Sequence, residues 1–178
     1  MTDLKHHERY DYVPITKRGN YDWPEGKRLA IYLGINHEVF SFGEGLGAEL
    51  APSQTSPDVM NYAWRDYGNR VGAWRFMEIF DRLELRTTAL MNSALIEKCP
   101  DLARACVDRG DDIAAHGKTN AEAQGNMSRQ DEEAMIDQTL RHFDSLGVRP
   151  TGWLGPWISE SHHTPDLLKS AGFRYVLD

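Results

Sequence analysis

Cysteine is scarce: Cys99 and Cys106 are the two thiols in 178 residues, seven positions apart. Their placement in one predicted helix excludes a disulfide framework and reads as small buried apolar side chains in a reducing compartment. No apolar run reaches membrane-spanning length, and the N-terminal MTDLKHHERYDYVP lacks the apolar centre of a secretory signal. A cytoplasmic location is the expectation. Positive charge is in deficit, with 20 Lys and Arg against 27 Asp and Glu and a formal net charge of −7. That balance argues against nucleic acid or an anionic membrane as partner. Neither G-x-G-x-x-G nor G-x-x-x-x-G-K-[ST] follows a predicted strand, so a nucleotide-binding fold loses support. Internal repeats and low-complexity segments are missing too.

What is present is an alternation of strands and helices. The hydrophobic share of 40% and the charged share of 26% suit one globular domain with a sizeable core. Residues 1–28 read as an irregular polar arm, broken by Pro14, Gly19, Pro24 and Gly26. RLAIYLGIN, from Arg28 to Asn36, has the look of a strand buried on both faces, and a Gly- and Pro-rich stretch follows it. From Asn69 the period turns helical through Val71, Trp74, Met77 and Phe80. RTTALMN predicts a second strand and DDIAAHG a third, separated by a helix between Pro100 and Gly110. Ser128 caps a helix that Gly147 ends, TGWLGPW predicts a fourth strand, a helix opens at Thr164 and Pro165 and closes at Gly172, and FRYVLD predicts a fifth strand. Short β-α connections imply an α/β protein with a parallel sheet, either an open sheet or a closed barrel. Ending on a strand with no covering helix reads as the first part of a longer protein.

In parallel α/β folds the C-terminal strand ends carry the chemistry. Here they deliver Asn36, His37 and Glu38, then Asn92, then His116, then Trp157, and the loops beyond add Asn120, Glu122, Glu160, His162 and His163. Glu38 is either a solvated loop carboxylate or a base for activating water. His116 is either a hydrogen-bonded structural residue or, with His37, a metal ligand or acid–base group. Arg65, Arg70 and Arg75 in WRDYGNRVGAWR either clamp an anionic or carbonyl-rich ligand or pair along a helix face.

INHE after the first strand, AAHGKTN after the third and GWLGPW on the fourth resemble the polysaccharide deacetylase (NodB-homology) superfamily. RDYGNRVGAWR and the segment GWLGPWISESHHTPDLLKSAGFRYVLD resemble its branch of allantoinase-like and cytosolic deacetylase-like enzymes. The similarity runs from about Arg28 onward. It implies a deacetylase-like domain over 29–178, built as a distorted seven-stranded (β/α) barrel cut after about the fifth strand. It also implies hydrolysis of a C–N bond in carbohydrate metabolism, on a small amide, a cyclic amide or an N-acetylated sugar. The family's Asp-Asp pair corresponds to Asn36 and His37, with Glu38 next. Its H-x-x-x-H pair becomes His116 and Asn120, and its Arg-x-Pro arginine becomes Leu154.

The expected site therefore has Glu38 and His116 as catalytic groups. Asn36, Asn92, Arg70 and Trp157 contact substrate, and His37, His116 and Asn120 hold Zn²⁺ or another divalent metal, with a metal-free route as the alternative. The expected partners are a small-molecule substrate and further copies of the chain. A non-catalytic ligand-binding module on the same fold is the rival reading.

Overall fold

The computed structural model describes residues 6–50 and 56–178, and the chain divides into two units at Ile31/Tyr32. The first unit has helical turns at Ile15–Lys17 and Pro24–Gly26 and one antiparallel bridge between Trp23 and Lys27, and none of its described residues is buried.

The second unit alternates strand and helix. Its elements are β1 (Gly34–His37), α1 (Val59–Tyr67), α2 (Ala73–Arg82), β2 (Thr88–Met91), α3 (Leu95–Lys98), α4 (Pro100–Asp108), β3 (Asp112–Ala115), α5 (Arg129–Leu146), β4 (Gly152–Trp153), α6 (Thr164–Ala171) and β5 (Tyr175–Val176). The strands form one parallel sheet in the order of the chain, β1-β2-β3-β4-β5. Among the described residues β1 and β5 each pair with one neighbour, so the sheet is open, as in a partial (β/α) barrel.

Local signals explain the helix ends. The Ser128 side chain accepts the Asp131 amide at the start of α5, and Gly147 closes it at φ 81°. Ile136, Leu140 and Phe143 fall on one buried face between these ends. Pro100 occupies the first turn of α4, where its missing N–H costs nothing.

Three expectations are corrected. The first strand is shorter than Arg28–Asn36 and sits at the sheet edge, with Leu29 and Ile31 well exposed. The helix expected from Asn69 begins earlier, at Val59, where the Asp58 carboxylate accepts the Asn61 amide. α1 buries Asn61 alone, so it has little apolar period to read. Asn69 itself lies in a π-helical turn, Gly68–Gly72, that joins α1 to α2. Trp157 is not in the fourth strand, because the chain leaves the sheet after Trp153 and turns at Pro156–Ile158. The Gly- and Pro-rich stretch is described on both sides of residues 51–55, which lie outside the described residues.

Strand pairing sorts the side chains into two faces. His37, Met91, Ala115 and Trp153 are consecutive partners across the sheet. Met91, Ala115 and Trp153 belong to the apolar core with Leu102, Cys106 and Phe143, so this row faces the helices. Because successive side chains alternate, the row Asn36, Leu90, Ala114, Gly152 faces the other way. Leu90 and Ala114 are buried outside that core cluster, as the alternation requires.

Candidate active site

One residue past β1, Glu38 returns to the non-helical face. Its Oε1 accepts the Asn36 amide Nδ2–H at 3.0 Å and lies 3.4 Å from His116 Nε2. His116 follows β3, and its Nδ1 donates to the Leu154 carbonyl at 2.7 Å, because a carbonyl oxygen can only accept. Nε2 is therefore the nitrogen that faces the carboxylate. It is also the one buried side-chain nitrogen or oxygen with no hydrogen bond among the described residues. Burial pushes the Glu38 carboxyl up, but the close approach of His116, the hydrogen bond from Asn36 and the charges of His116 and Arg65 outweigh it. The net effect holds Glu38 below its usual range.

Asn92 at the end of β2 ties this arrangement together. Its Oδ1 accepts the Val39 amide at 2.8 Å, and its Nδ2 donates to Asn120 Oδ1 at 3.0 Å and to the His116 carbonyl. One fully buried amide thus clamps the chain beyond three strands. That speaks against the expected substrate contact: Asn92 is fully buried and both of its amide hydrogens are already donated. Asn120 is buried as well, its side-chain oxygen taken by Asn92 and its carbonyl by Trp157 Nε1 at 2.9 Å.

The His-Gly pair that ends β3 has a geometric reason. Gly117 has φ 61°, and a Cβ there would come within 2.5 Å of the Pro156 ring. Only glycine both adopts this left-handed backbone cheaply and lets the Pro156 turn close over the strand end. That turn carries Trp157 at φ 64°, partly exposed and edge-on to Phe40 with ring centroids 6.5 Å apart.

His37 does not join His116. It lies on the helix-facing row, buried, with Nε2 3.6 Å from the Cys106 thiol. Desolvation, partly opposed by Asp111, pushes its imidazole down to about 4, and burial pushes the Cys106 thiol up to about 12. Both groups are neutral at physiological pH, so the pair is packing and not a thiolate–imidazolium nucleophile. Strand alternation turns the His37 imidazole toward Cys106 rather than toward His116, which speaks against its expected metal role.

Three contiguous clefts of about 200, 210 and 240 Å³ surround Glu38, and each is also lined by Phe40 and Arg65. Asn36, His116, Asn120 and Trp157 line the largest. Arg70 reaches the outer wall of another, but its Nε is held by Asp66 at 2.5 Å and its side chain is largely exposed. Glu122, Glu160, His162 and His163 line none of the three.

Asn69 and Asp178 carry no sequence signal that marks them for the site, and nothing in the sequence separates Arg65 from Arg70 and Arg75. Asn69 donates to the Glu38 carbonyl at 2.7 Å from the π-helical turn, a distortion that often marks functional sites. Asp178, just beyond β5, accepts the Gly155 amide at 2.6 Å. Burial raises its carboxyl against the opposing pull of that amide and of His116. Arg65 was grouped with Arg70 and Arg75, although it alone reaches every cleft.

Comparison with known proteins follows this geometry. Residues 55–176 match the family model for polysaccharide deacetylases. A peptidoglycan deacetylase of Helicobacter pylori is 28% identical over 150 residues, covering 84% of this chain and 49% of that protein. A peptidoglycan deacetylase-like protein of Gibberella zeae is 27% identical over 156 residues, covering 85% and 44%. The chain thus spans about half the length of these relatives. In fold it is similar to the crystal structure of the PuuE allantoinase, with a TM-score of 0.74 at 24% identity, covering 95% of this chain and 61% of the other.

Proposed function

Because the chain belongs to the polysaccharide deacetylase family, we propose that its strand-end rim hydrolyses a non-peptide C–N bond. The substrate is a small amide, a cyclic amide or an N-acetylated sugar, and the domain that acts on it spans 29–178. The observation that carries this reading is the Glu38 carboxylate, held ionised at the mouth of a cleft with His116 directly behind it.

The family implies a divalent metal, and a catalytic zinc takes three protein donors and a water. The orphaned His116 Nε2 and Glu38 Oε1 supply two. The His37 imidazole is turned toward Cys106, and the Asn120 amide oxygen is a buried, uncharged and weaker ligand that already accepts from Asn92. Among the described residues no cluster of three His, Cys, Asp or Glu could hold an ion. Among the described residues the strong donors fall one ligand short of such a site, and the steps of the reaction use this chain's own side chains.

In that reaction Glu38 accepts a proton from water as the water oxygen bonds to the amide carbon and the carbonyl electron pair moves onto its oxygen. Collapse of the adduct breaks the C–N bond, and the proton returns from Glu38 to the departing nitrogen. The products are a carboxylic acid and an amine, joined in one molecule if the substrate is cyclic. His116 acts through Glu38. The His116 Nε2 stands 3.4 Å from the Glu38 Oε1 and, with the Asn36 amide, restrains that oxygen. This keeps Oε1 in place and leaves Oε2, which has no hydrogen bond among the described residues, toward the cleft.

No described helix is long and apolar enough to cross a membrane. Two free thiols support a cytoplasmic setting, and exposed Trp74, Phe76 and Ile79 on α2, with Leu83 just after it, support self-association. The test is turnover of N-acetylglucosamine, allantoin and N-acetylglycine by the whole protein and its Glu38→Gln variant. At least one should be hydrolysed, with a loss of about 10²–10⁴-fold in the variant. Equal rates in both proteins would refute the assignment.

A further inference from the structure

Arg65 is built into the site in a way the hydrolysis step does not use. Its Nε donates to Asn61 Oδ1 at 3.1 Å, and its Cζ stands 3.9 Å over the centre of the Phe40 ring. Asn61 is itself buried, with its Nδ2 donating to the carbonyls of Gly47 and Ala48 at 2.9 and 3.0 Å. The guanidinium plane is therefore fixed by an aromatic face on one side and an anchored amide at Nε. Its terminal nitrogens have no hydrogen bond or ion pair among the described residues. The neighbouring cations are spent: Arg70 pairs with Asp66, and Lys98 pairs with Glu97. Arg65 is thus the cleft cation whose charge no direct contact neutralises, and it lines all three clefts beside Glu38.

We infer that Arg65 is a specificity residue that receives a carboxylate of the substrate, carried some atoms away from the scissile amide. The inference rests on the hydrolase reading above for the position of that amide. A guanidinium with its terminal edge free presents two parallel N–H donors, which match the two oxygens of a carboxylate. A dianionic phosphate fits less well, because Glu38 and Asp66 line the same cleft and repel a second negative charge. Lysine would not serve equally, since it lacks the planar fork and the flat stack on Phe40.

Binding of N-acetylglycine, N-acetyl-β-alanine and N-acetyl-4-aminobutyrate is compared by calorimetry with binding of their neutral carboxamides. Wild type should bind at least one acid about tenfold or more tightly than its carboxamide. Arg65→Gln should abolish that difference by weakening the acids far more than the carboxamides, and Arg65→Lys should restore only part of it. Equal binding of every acid and its carboxamide, no measurable binding of any acid, or an equal loss for acid and carboxamide in Arg65→Gln would each overturn the inference. An equal loss would instead mark Arg65 as a residue that merely steadies the Glu38 charge. Turnover is followed in the same samples, so the two readings fail separately. A charge preference without hydrolysis supports Arg65 and sinks the hydrolase, whereas hydrolysis without a charge preference does the reverse.

Discussion

At the scale of single residues, Glu38 and His37 differ by one position and have opposite fates. The alternation of strand side chains separates them, and that rule is available from sequence. What hid the difference was the end of β1, since a residue beyond a strand can turn either way. Burial then settles the chemistry. His37, among helices, stays neutral, while Glu38 gains a hydrogen bond from Asn36 and a close contact with His116 that favour its charged form. Gly117 is a sharper case, because HG in the sequence shows a turn but not the Pro156 ring that crowds it. Gly117→Ala should destabilise the protein by about 2–4 kcal/mol, from a left-handed alanine and the clash with that ring. Urea unfolding would measure it, and a loss under about 0.5 kcal/mol, the scatter of a neutral surface change, would mean the turn is not tight.

At the scale of elements, β2 to β5 and α4 to α6 were legible, because apolar period, Pro at the first turn and Gly after the last all agree. α1 was not, since it buries a polar residue, and the π-helical turn has no sequence signature of its own. The packing of β1 on α4 makes its own prediction. Burial against Cys106 drops the His37 imidazole from 6.5 to about 4 in the folded chain. The unfolded chain takes up that proton as pH falls below about 6.5 and the folded chain does not. Stability is therefore full above pH 6.5, declines between 6.5 and about 4, and loses up to about 3 kcal/mol from this group. His37→Gln should flatten that part of the stability curve, measured by urea titration across the same pH range. Unchanged pH dependence in the variant would mean another group sets it.

At the scale of the whole molecule, the parallel α/β layout followed from the order of segments, and the family from motifs spread over most of the chain. The metal set did not follow. Sequence places His37, His116 and Asn120 at strand ends, but only the folded sheet shows that one faces the helices and another is clamped by Asn92. Two strong donors make a weak zinc site. Dialysis against a chelator should therefore leave amide hydrolysis within about twofold of its starting rate, far from the tenfold loss that 1.4 kcal/mol of lost transition-state binding would bring. Restoration of a lost activity by added Zn²⁺ would contradict this and point to a third ligand.

The coupling of Glu38 to His116 is the claim on which the rest depends, and the pH profile of kcat/KM tests it most directly. Wild type should stay active until the pH falls through the lowered range of Glu38, because the His116 contact and the Asn36 hydrogen bond hold its carboxyl down against burial. In His116→Gln the acid limb should move to higher pH, as the imidazole contact and charge that favour the carboxylate are lost. An acid limb that stays where it was would show that the two residues do not work as a pair.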